Sequence, residues 1–292
     1  MSKKSNKYAG YDPEAYDPSG IAEYLGLGRS INFEHKPTKI AVICALITSV
    51  TVTFWKSFQG MESYEATLFG VGCALAFVLS YMIAQELDPD RSMGGLIGGG
   101  LTIVTYLFLG EGNIMVMLWL LFVLRMFTRT SGDRHRIADN VIIIGSAVWL
   151  GKEGFWLYPL LTGVAYVMES QLPRGYFRSL YLAAIALAGM VIAEYSSEGA
   201  VLTINYVYIM SAVFIIFMPE FRMSSETRAA GDKDGRRIIP VRLLTAQGAF
   251  ALSSFSVAFM HGNSQALAMM PANMAALGCG LYLVADLIKN KK

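Results

Sequence analysis

Three aspartates of this chain lie where they can bind a metal ion. Asp88 and Asp90 belong to the segment ELDPDR, and Asp139 lies in RHRIADN. Pro89 disfavours helix at the residue before it, so LDPDR predicts a tight turn that presents both carboxylates. Mg²⁺ binds through one or two carboxylates together with phosphate oxygens of a substrate. We therefore expect Asp88, Asp90 and Asp139 to be metal ligands, with Mg²⁺ as the cofactor. The alternative is that Asp-Pro-Asp is an ordinary turn that ends a helix.

Three arginines accompany these aspartates in the sequence. Arg91 follows Asp90 directly, and Arg134 and Arg136 precede Asp139. Guanidinium groups bind phosphate through pairs of N–H donors, so we expect these three arginines to bind the phosphate of a substrate. The alternative is that they only orient the protein, because cytoplasmic loops of membrane proteins are basic. That alternative leaves Asp139 unexplained, since an ionisable residue at the edge of a membrane span is a candidate functional residue.

Five glycines follow the aspartate turn in the segment SMGGLIGGG. Gly94 and Gly98, and likewise Gly95 and Gly99, have the small-xxx-small spacing that lets two membrane helices approach closely. A loop that cradles phosphate is the alternative, but no Lys or Ser/Thr follows at the spacing of a phosphate-binding loop. We expect these glycines to pack helices together.

The composition is that of a membrane protein. Apolar residues make up 54% of the chain and charged residues 16%, whereas soluble domains carry about a quarter charged residues. The mean hydropathy is +0.45. Ten apolar runs lie between clusters of charge: 40–55, 66–85, 93–110, 113–128, 138–151, 154–170, 178–195, 199–219, 243–260 and 264–287. They predict an all-α integral membrane protein with about ten transmembrane helices arranged as five hairpins.

The distribution of Lys and Arg predicts the orientation of these helices. If all ten runs cross from a cytoplasmic N-terminus, the outer loops contain only Lys56 and Lys152. The other 22 of the 24 basic residues then lie in the tails and inner loops, as the positive-inside rule requires. We therefore expect a multi-pass protein of the plasma (inner) membrane with both termini in the cytoplasm. Four polar junctions, which include the candidate aspartates and arginines, would share the cytoplasmic face.

The two ends of the chain differ from its apolar body. Residues 1–38 predict a polar cytoplasmic tail, in which SGIAEYLGLG can form a short amphipathic helix on the membrane surface. Residues 39–288 are the predicted transmembrane domain, and 289–292 a basic C-terminal tail. The cysteines lie in apolar runs and the histidines are isolated, so neither type predicts a metal site. The sequence has no basic stripe with interleaved aromatic residues, so it does not predict nucleic-acid binding.

The segment GDKDGRRIIPVRLLTAQGA, residues 231–249, resembles the second acidic loop of the UbiA-type intramembrane prenyltransferases. ELDPDR also lies at the end of the second apolar run, where that family places its first acidic motif. The resemblance implies a helical membrane enzyme of prenyl transfer. The family spaces its aspartates more widely than Asp88 and Asp90, and its aspartates before Gly231 are missing here. No site residue is therefore transferred from that family.

Three classes of function fit these features. The first is a membrane-embedded enzyme that acts on a lipid phosphate or pyrophosphate at the cytoplasmic face, which explains why acids and arginines share one surface. The second is a small-solute transporter, because the layout resembles that of the drug/metabolite transporter superfamily. The third is an accessory or scaffold subunit that binds a membrane-protein partner. No catalytic nucleophile or general base stands out in the sequence. We expect the enzyme, with the lipid bilayer and a lipid phosphate as its partners.

Overall fold

The chain is helical throughout the part that the structure describes. The structure is a computed structural model, and it describes residues 24–29, 35–195 and 201–289, over which no strand occurs. Eleven α-helices lie within these ranges: α1 (Lys36–Phe58), α2 (Ser63–Leu87), α3 (Ser92–Phe108), α4 (Ile114–Thr128), α5 (Ile137–Lys152), α6 (Leu157–Gln171), α7 (Ser179–Ala188), α8 (Ile204–Met223), α9 (Pro240–His261), α10 (Asn263–Ala268) and α11 (Met270–Lys289). Short 3₁₀ turns extend α7 over Gly189–Ile192 and α8 over Ser224–Glu226.

Each of the predicted apolar runs contains a helix, and the last run contains both α10 and α11. Five helical segments are long and apolar enough to cross a membrane: Lys36–Phe58, Ser63–Leu87, Ile204–Glu226, Pro240–His261 and Met270–Lys289. They support the prediction of an all-helical membrane protein. The helices α3, α4 and the segment Ser179–Ile192 are apolar but shorter. A helix of α4's 15 residues rises only about 22 Å, less than the hydrocarbon thickness of about 30 Å.

Helix α4 lies at the centre of the bundle, where it packs against α2, α5, α6 and α9. Eleven of its 15 residues are buried, which explains why this short helix is apolar on all sides. The side chain of Asn113 caps its start and accepts the backbone N–H of Met115 at 2.9 Å. Trp119 Nε1 donates to Thr162 Oγ1 of α6 at 2.8 Å. The first half of α4 is therefore held in a defined position among its neighbours.

Helix α3 packs between α2 and α11 through its glycines. A Cβ added at Gly98 would lie 2.8 Å from a Cα atom of α11, and Gly94 meets the same helix. A Cβ added at Gly99 would lie 2.6 Å from an aromatic ring of α2, and Gly95 faces that helix too. The two predicted glycine pairs thus serve two different helix contacts, and their predicted packing role is confirmed.

Four loops rich in charge meet at one end of the bundle, which we call the polar end. Asp232 donates its backbone N–H to Thr130 O at 2.9 Å. Asp90 Oδ1 accepts the backbone N–H of Arg228 at 2.9 Å. The loops are 88–91, 129–136, 172–178 and 227–239. They correspond to the four polar junctions of the sequence, which the fold therefore brings together.

The N-terminal segment 24–29 belongs to the same end of the protein. Leu27 is fully buried and packs with residues of α2 and α4 in the main core. The predicted surface helix SGIAEYLGLG begins outside the described residues, and within them only Tyr24 is helical. The described part of this segment therefore packs into the protein instead of lying on the membrane surface.

Gly98→Ala is expected to destabilise the protein, because the added Cβ would press on the backbone of α11. Overpacking of this kind costs about 1–3 kcal/mol. Gly100→Ala is the matched control on the same helix, since its Cβ would meet nothing within 4 Å. That variant should be neutral or more stable, because Ala favours helix over Gly by about 1 kcal/mol. Thermal unfolding of the detergent-purified protein measures the stability of both variants. An equal fall of the unfolding temperature in the two would contradict the proposed contact.

Candidate functional site

Glu86 is fully buried at the end of α2 and accepts hydrogen bonds from four side chains. Its Oε1 accepts from Arg125 Nε at 3.1 Å and from Arg29 Nη1 at 3.3 Å. Its Oε2 accepts from Thr128 Oγ1 at 2.8 Å and from Thr130 Oγ1 at 2.6 Å. A buried carboxylate needs such partners because its desolvation is costly. Glu86 thereby ties the end of α4 and the following loop to α2.

Glu169 of α6 is also fully buried and binds two arginines. Its Oε1 accepts from Arg129 Nη2 at 2.6 Å, and its Oε2 accepts from Arg242 Nη2. Arg242 also donates to the backbone oxygens of Phe127 at 2.7 Å and Met126 at 2.9 Å. These are carbonyls at the C-terminus of α4, where the helix dipole favours a cation. One glutamate and one arginine therefore join α4, α6 and α9 at the polar end.

A cavity of about 490 Å³, which we call the basic cavity, opens beside this group. Three of the four loops of the polar end contribute to it, so it exists only in the folded protein. Eight basic and two acidic side chains line it: Arg129, Arg134, Arg136, Arg174, Lys233, Arg236, Arg237 and Arg242, with Asp133 and Asp234.

Four of these arginines have no carboxylate partner in the part of the chain that the structure describes. They are Arg134, Arg174, Arg236 and Arg237. Arg134 instead lies over the ring of Tyr176, with its Cζ 5.3 Å from the ring centroid. Like charges 4 Å apart repel by about 1 kcal/mol even in water, and more where water is excluded. A bound anion with several negative charges would relieve this repulsion.

A second cavity of about 620 Å³, which we call the side cavity, adjoins the basic cavity. Both cavities are lined by Asp133, Arg134 and Arg136, so one loop forms the wall between them. The remaining lining residues come from the starts of α5 and α7 and from the loops before these helices: His135, Ile137, Asn140, Tyr176, Arg178, Tyr181 and Leu182. The side cavity is therefore less charged than its neighbour.

His135 is buried in the wall of the side cavity, with only 4% of its surface exposed. Its Nε2 lies 3.0 Å from Ser179 Oγ, and its ring packs edge-on against Tyr166 and Tyr176. Burial, assisted by the positive charge of Arg129, lowers the pKa of His135 from 6.5 to about 4. This histidine is therefore neutral at physiological pH.

The structure places two of the predicted phosphate ligands, Arg134 and Arg136, in the basic cavity and the third outside it. Arg91 lies within 4 Å of three carboxylates: Asp88 at 3.4 Å, Glu220 at 3.7 Å and Asp286 at 3.6 Å. Burial raises the pKa of the Asp88 carboxyl, although the charge of Arg91 opposes that rise. The Arg91 guanidinium thus connects the ends of α2, α8 and α11.

Asp139, a predicted metal ligand, anchors the N-terminal segment. Its Oδ2 accepts the backbone N–H groups of Gly26 at 2.7 Å, Leu27 at 3.1 Å and Arg136 at 2.8 Å. Lys233 Nζ completes the attachment by donating to Gly26 O at 3.0 Å. The carboxylate therefore binds backbone donors from two separate parts of the chain.

The three predicted metal ligands do not form one acidic group. Among residues 24–29, 35–195 and 201–289, no set of three or more His, Cys, Asp or Glu side chains is arranged to hold a metal ion. Mg²⁺ can also bind through one carboxylate together with substrate phosphate. The assignment of Asp88, Asp90 and Asp139 as Mg²⁺ ligands therefore stays a prediction.

Five basic residues of the cavity lie in segments from which the sequence predicted no phosphate ligand. They are Arg174, Lys233, Arg236, Arg237 and Arg242. The segments PRGYFR and KDGRRIIPVR were visibly basic, but their charges had an equally good explanation in membrane topology. Nothing in their spacing shows that they meet the RTSGDRHR segment, because that meeting depends on how the helices pack.

Asp139→Asn is expected to release the N-terminal segment, because one acceptor oxygen and the negative charge are lost. Hydrogen bonds to charged groups contribute about 1.5–3 kcal/mol each, so trypsin cleavage after Arg29 should rise about tenfold or more. Limited proteolysis with mass spectrometry measures the rate. Glu226→Gln is the control, since this exposed carboxylate lies in the 3₁₀ turn after α8 and its loss changes the net charge equally. If Asp139→Asn leaves the cleavage rate unchanged and removal of Mg²⁺ from the wild-type protein raises it, the anchoring role would be contradicted and a role as metal ligand favoured.

The buried His135 is expected to make stability fall as the solution is acidified. The unfolded histidine takes up a proton near pH 6.5 and the folded one only near pH 4. The stability that the neutral form contributes is therefore complete above pH 6.5 and is lost towards pH 4, by up to about 3 kcal/mol. Thermal unfolding across this range should show a shallower pH dependence for His135→Gln. The exposed His35→Gln serves as the control, and identical slopes for all three proteins would overturn the expectation.

Comparison of the chain with protein-family models, with curated proteins and with solved structures finds no match. The local resemblance of residues 231–249 to the UbiA-type loop therefore has no wider counterpart. In the structure, Arg242 of that segment is bound to Glu169 and to carbonyls of α4. The geometry of the polar end is the remaining source of information on function.

Proposed function

We propose that this protein is a multi-pass enzyme of the plasma (inner) membrane that binds the phosphate or pyrophosphate of a lipid in the basic cavity and acts on it there. In this proposal ten helical segments cross the membrane as five hairpins, with both termini in the cytoplasm. The polar end then faces the cytoplasm, because its four loops hold ten of the 24 basic residues, whereas the predicted outer loops hold only Lys56 and Lys152. The bilayer supplies the substrate.

The basic cavity is the observation that carries this proposal. Its volume of about 490 Å³ lies within the usual range of small-molecule sites, about 300–1,000 Å³. Basic loops that only orient a protein need not converge, since the positive-inside rule depends on how many charges lie near the membrane. A concave site lined by several guanidinium groups suits a ligand with many anionic oxygens.

Mg²⁺ fits this proposal at the acidic residues of the cavity. Asp133 Oδ2 accepts from Arg136 Nη2 at 2.7 Å, and Asp234 Oδ1 accepts the backbone N–H of Arg236 at 3.0 Å. Phosphate-bound Mg²⁺ needs only one or two carboxylates from the protein, and these two lie in the cavity wall. We therefore expect Mg²⁺ to strengthen pyrophosphate binding.

Arg134→Gln and Arg236→Gln are each expected to weaken pyrophosphate binding by about tenfold or more, because a charged hydrogen bond contributes about 1.5–3 kcal/mol. Isothermal titration of the detergent-purified protein with inorganic pyrophosphate, with and without Mg²⁺, measures the affinity. Arg222→Gln is the matched control, since this exposed arginine lies outside the cavity and its loss changes net charge equally. Binding should also weaken as salt is added.

Enzymatic action is tested by following a lipid pyrophosphate in nanodiscs by mass spectrometry. The proposal expects consumption by wild-type protein and loss of consumption in Arg134→Gln and Arg236→Gln. Binding without turnover would favour an accessory subunit that only holds a lipid phosphate. Equal pyrophosphate affinity in all variants, including Arg222→Gln, would show that the cavity is not the binding site.

A further inference from the structure

The side cavity adjoins the basic cavity at the polar end. The wall that separates the two cavities is a single loop segment, which contributes Asp133, Arg134 and Arg136 to both. A ligand whose charged group lies against Arg134 would therefore have the side cavity directly beside it. The two cavities differ in character, since ten charged residues line the basic cavity, whereas the side cavity has four and adds Ile137, Tyr176, Tyr181 and Leu182.

Exposed apolar residues lead away from the side cavity along two helices. Ile137 of α5 and Tyr181 of α7 line the cavity and are 73% and 67% exposed. Val141 and Ile185, each one helical turn further along, are exposed as well. Both helices pack on α6 more extensively than on each other. Their exposed residues thus form an apolar border of the side cavity.

Tyr176 marks the boundary between the charged and the apolar part. Arg134 and Arg178 both lie over its ring, with Cζ atoms 5.3 Å and 5.9 Å from the centroid. Tyrosine and arginine with this arrangement are typical of the interface between headgroups and hydrocarbon, because each has an apolar body and a polar tip. A ligand that passes this ring would leave the polar layer and enter the apolar one.

We propose that the substrate is an amphiphile that enters from the side, with its phosphate in the basic cavity and its hydrocarbon chain in the side cavity between the starts of α5 and α7. This inference rests on the proposed function and adds the path of the chain. A free phosphate ester from the cytoplasm shares the same headgroup chemistry, but it would leave the apolar border unused.

Photolabelling of the full-length protein in phosphatidylcholine nanodiscs tests this path. The probe is dodecyl pyrophosphate with a diazirine in its chain, and dodecanol with the same diazirine is the control for unspecific labelling. Labelled peptides should concentrate at the starts of α5 and α7, and excess inorganic pyrophosphate should reduce that labelling by about fivefold or more. Arg134→Gln should reduce it similarly, whereas Arg222→Gln should not. The dodecanol probe should label lipid-facing helices such as α1 and α8 equally well.

The outcomes separate this inference from the proposed function. If the label appears on helices other than α5 and α7 and excess pyrophosphate still reduces it, the proposed path of the hydrocarbon chain would be wrong, but the phosphate site would stand. Labelling that is spread evenly and insensitive to pyrophosphate, in a protein that still binds inorganic pyrophosphate, would identify the ligand as a soluble phosphate ester and overturn the inference. A protein that binds neither dodecyl pyrophosphate nor inorganic pyrophosphate would overturn the proposed function as well.

Discussion

Two buried glutamates decide where the arginines of the polar end lie. Glu86 and Glu169 have no exposed surface, and a carboxylate so placed is tolerated only when cations and further donors surround it. Each glutamate binds two arginines: Glu86 binds Arg29 and Arg125, and Glu169 binds Arg129 and Arg242. Arg29 also pairs with Asp232, so the charges around Glu86 balance, whereas the two arginines on Glu169 leave one positive charge in excess. The helices of the bundle can end at this surface only because these ion pairs hold their ends together.

The basic cavity follows from the second of these pairs. Arg129 and Arg242 are fixed by Glu169 and by carbonyls of α4, and both line the cavity. Donors that are held in place before a ligand arrives lose little freedom when it binds, which is how a charged site gains affinity. Loop arginines such as Arg134 and Arg236 add charge to this fixed base. The most deeply buried of the cavity's cations, Arg242, belongs to α9 and is held by Glu169 and by α4 carbonyls, so residues of helices fix its position.

The fold was more predictable from the sequence than the site. Long apolar runs between charge clusters indicate helices directly, and the spacing of Gly94 and Gly98 indicates a close helix contact. Arg134 and Arg136 were identifiable because they lie together in one dense polar segment. The surroundings of Arg91 were not, since Glu220 and Asp286 reach it from helices far away in the sequence. Local spacing describes one loop at a time, whereas the cavity depends on which loops meet.

The position of the cavity loops also depends on the N-terminal segment. Asp139 binds the backbone of Gly26, and Lys233, which lines the basic cavity, donates to the carbonyl of the same glycine. A Cβ at this position would lie 2.0 Å from the backbone oxygen of Arg134, so only glycine allows the approach. Two of the cavity's loops are therefore held against a segment that composition alone assigns to a polar tail. Because a loop that is tied at several points loses fewer conformations when a ligand binds, this segment acts as part of the site's framework.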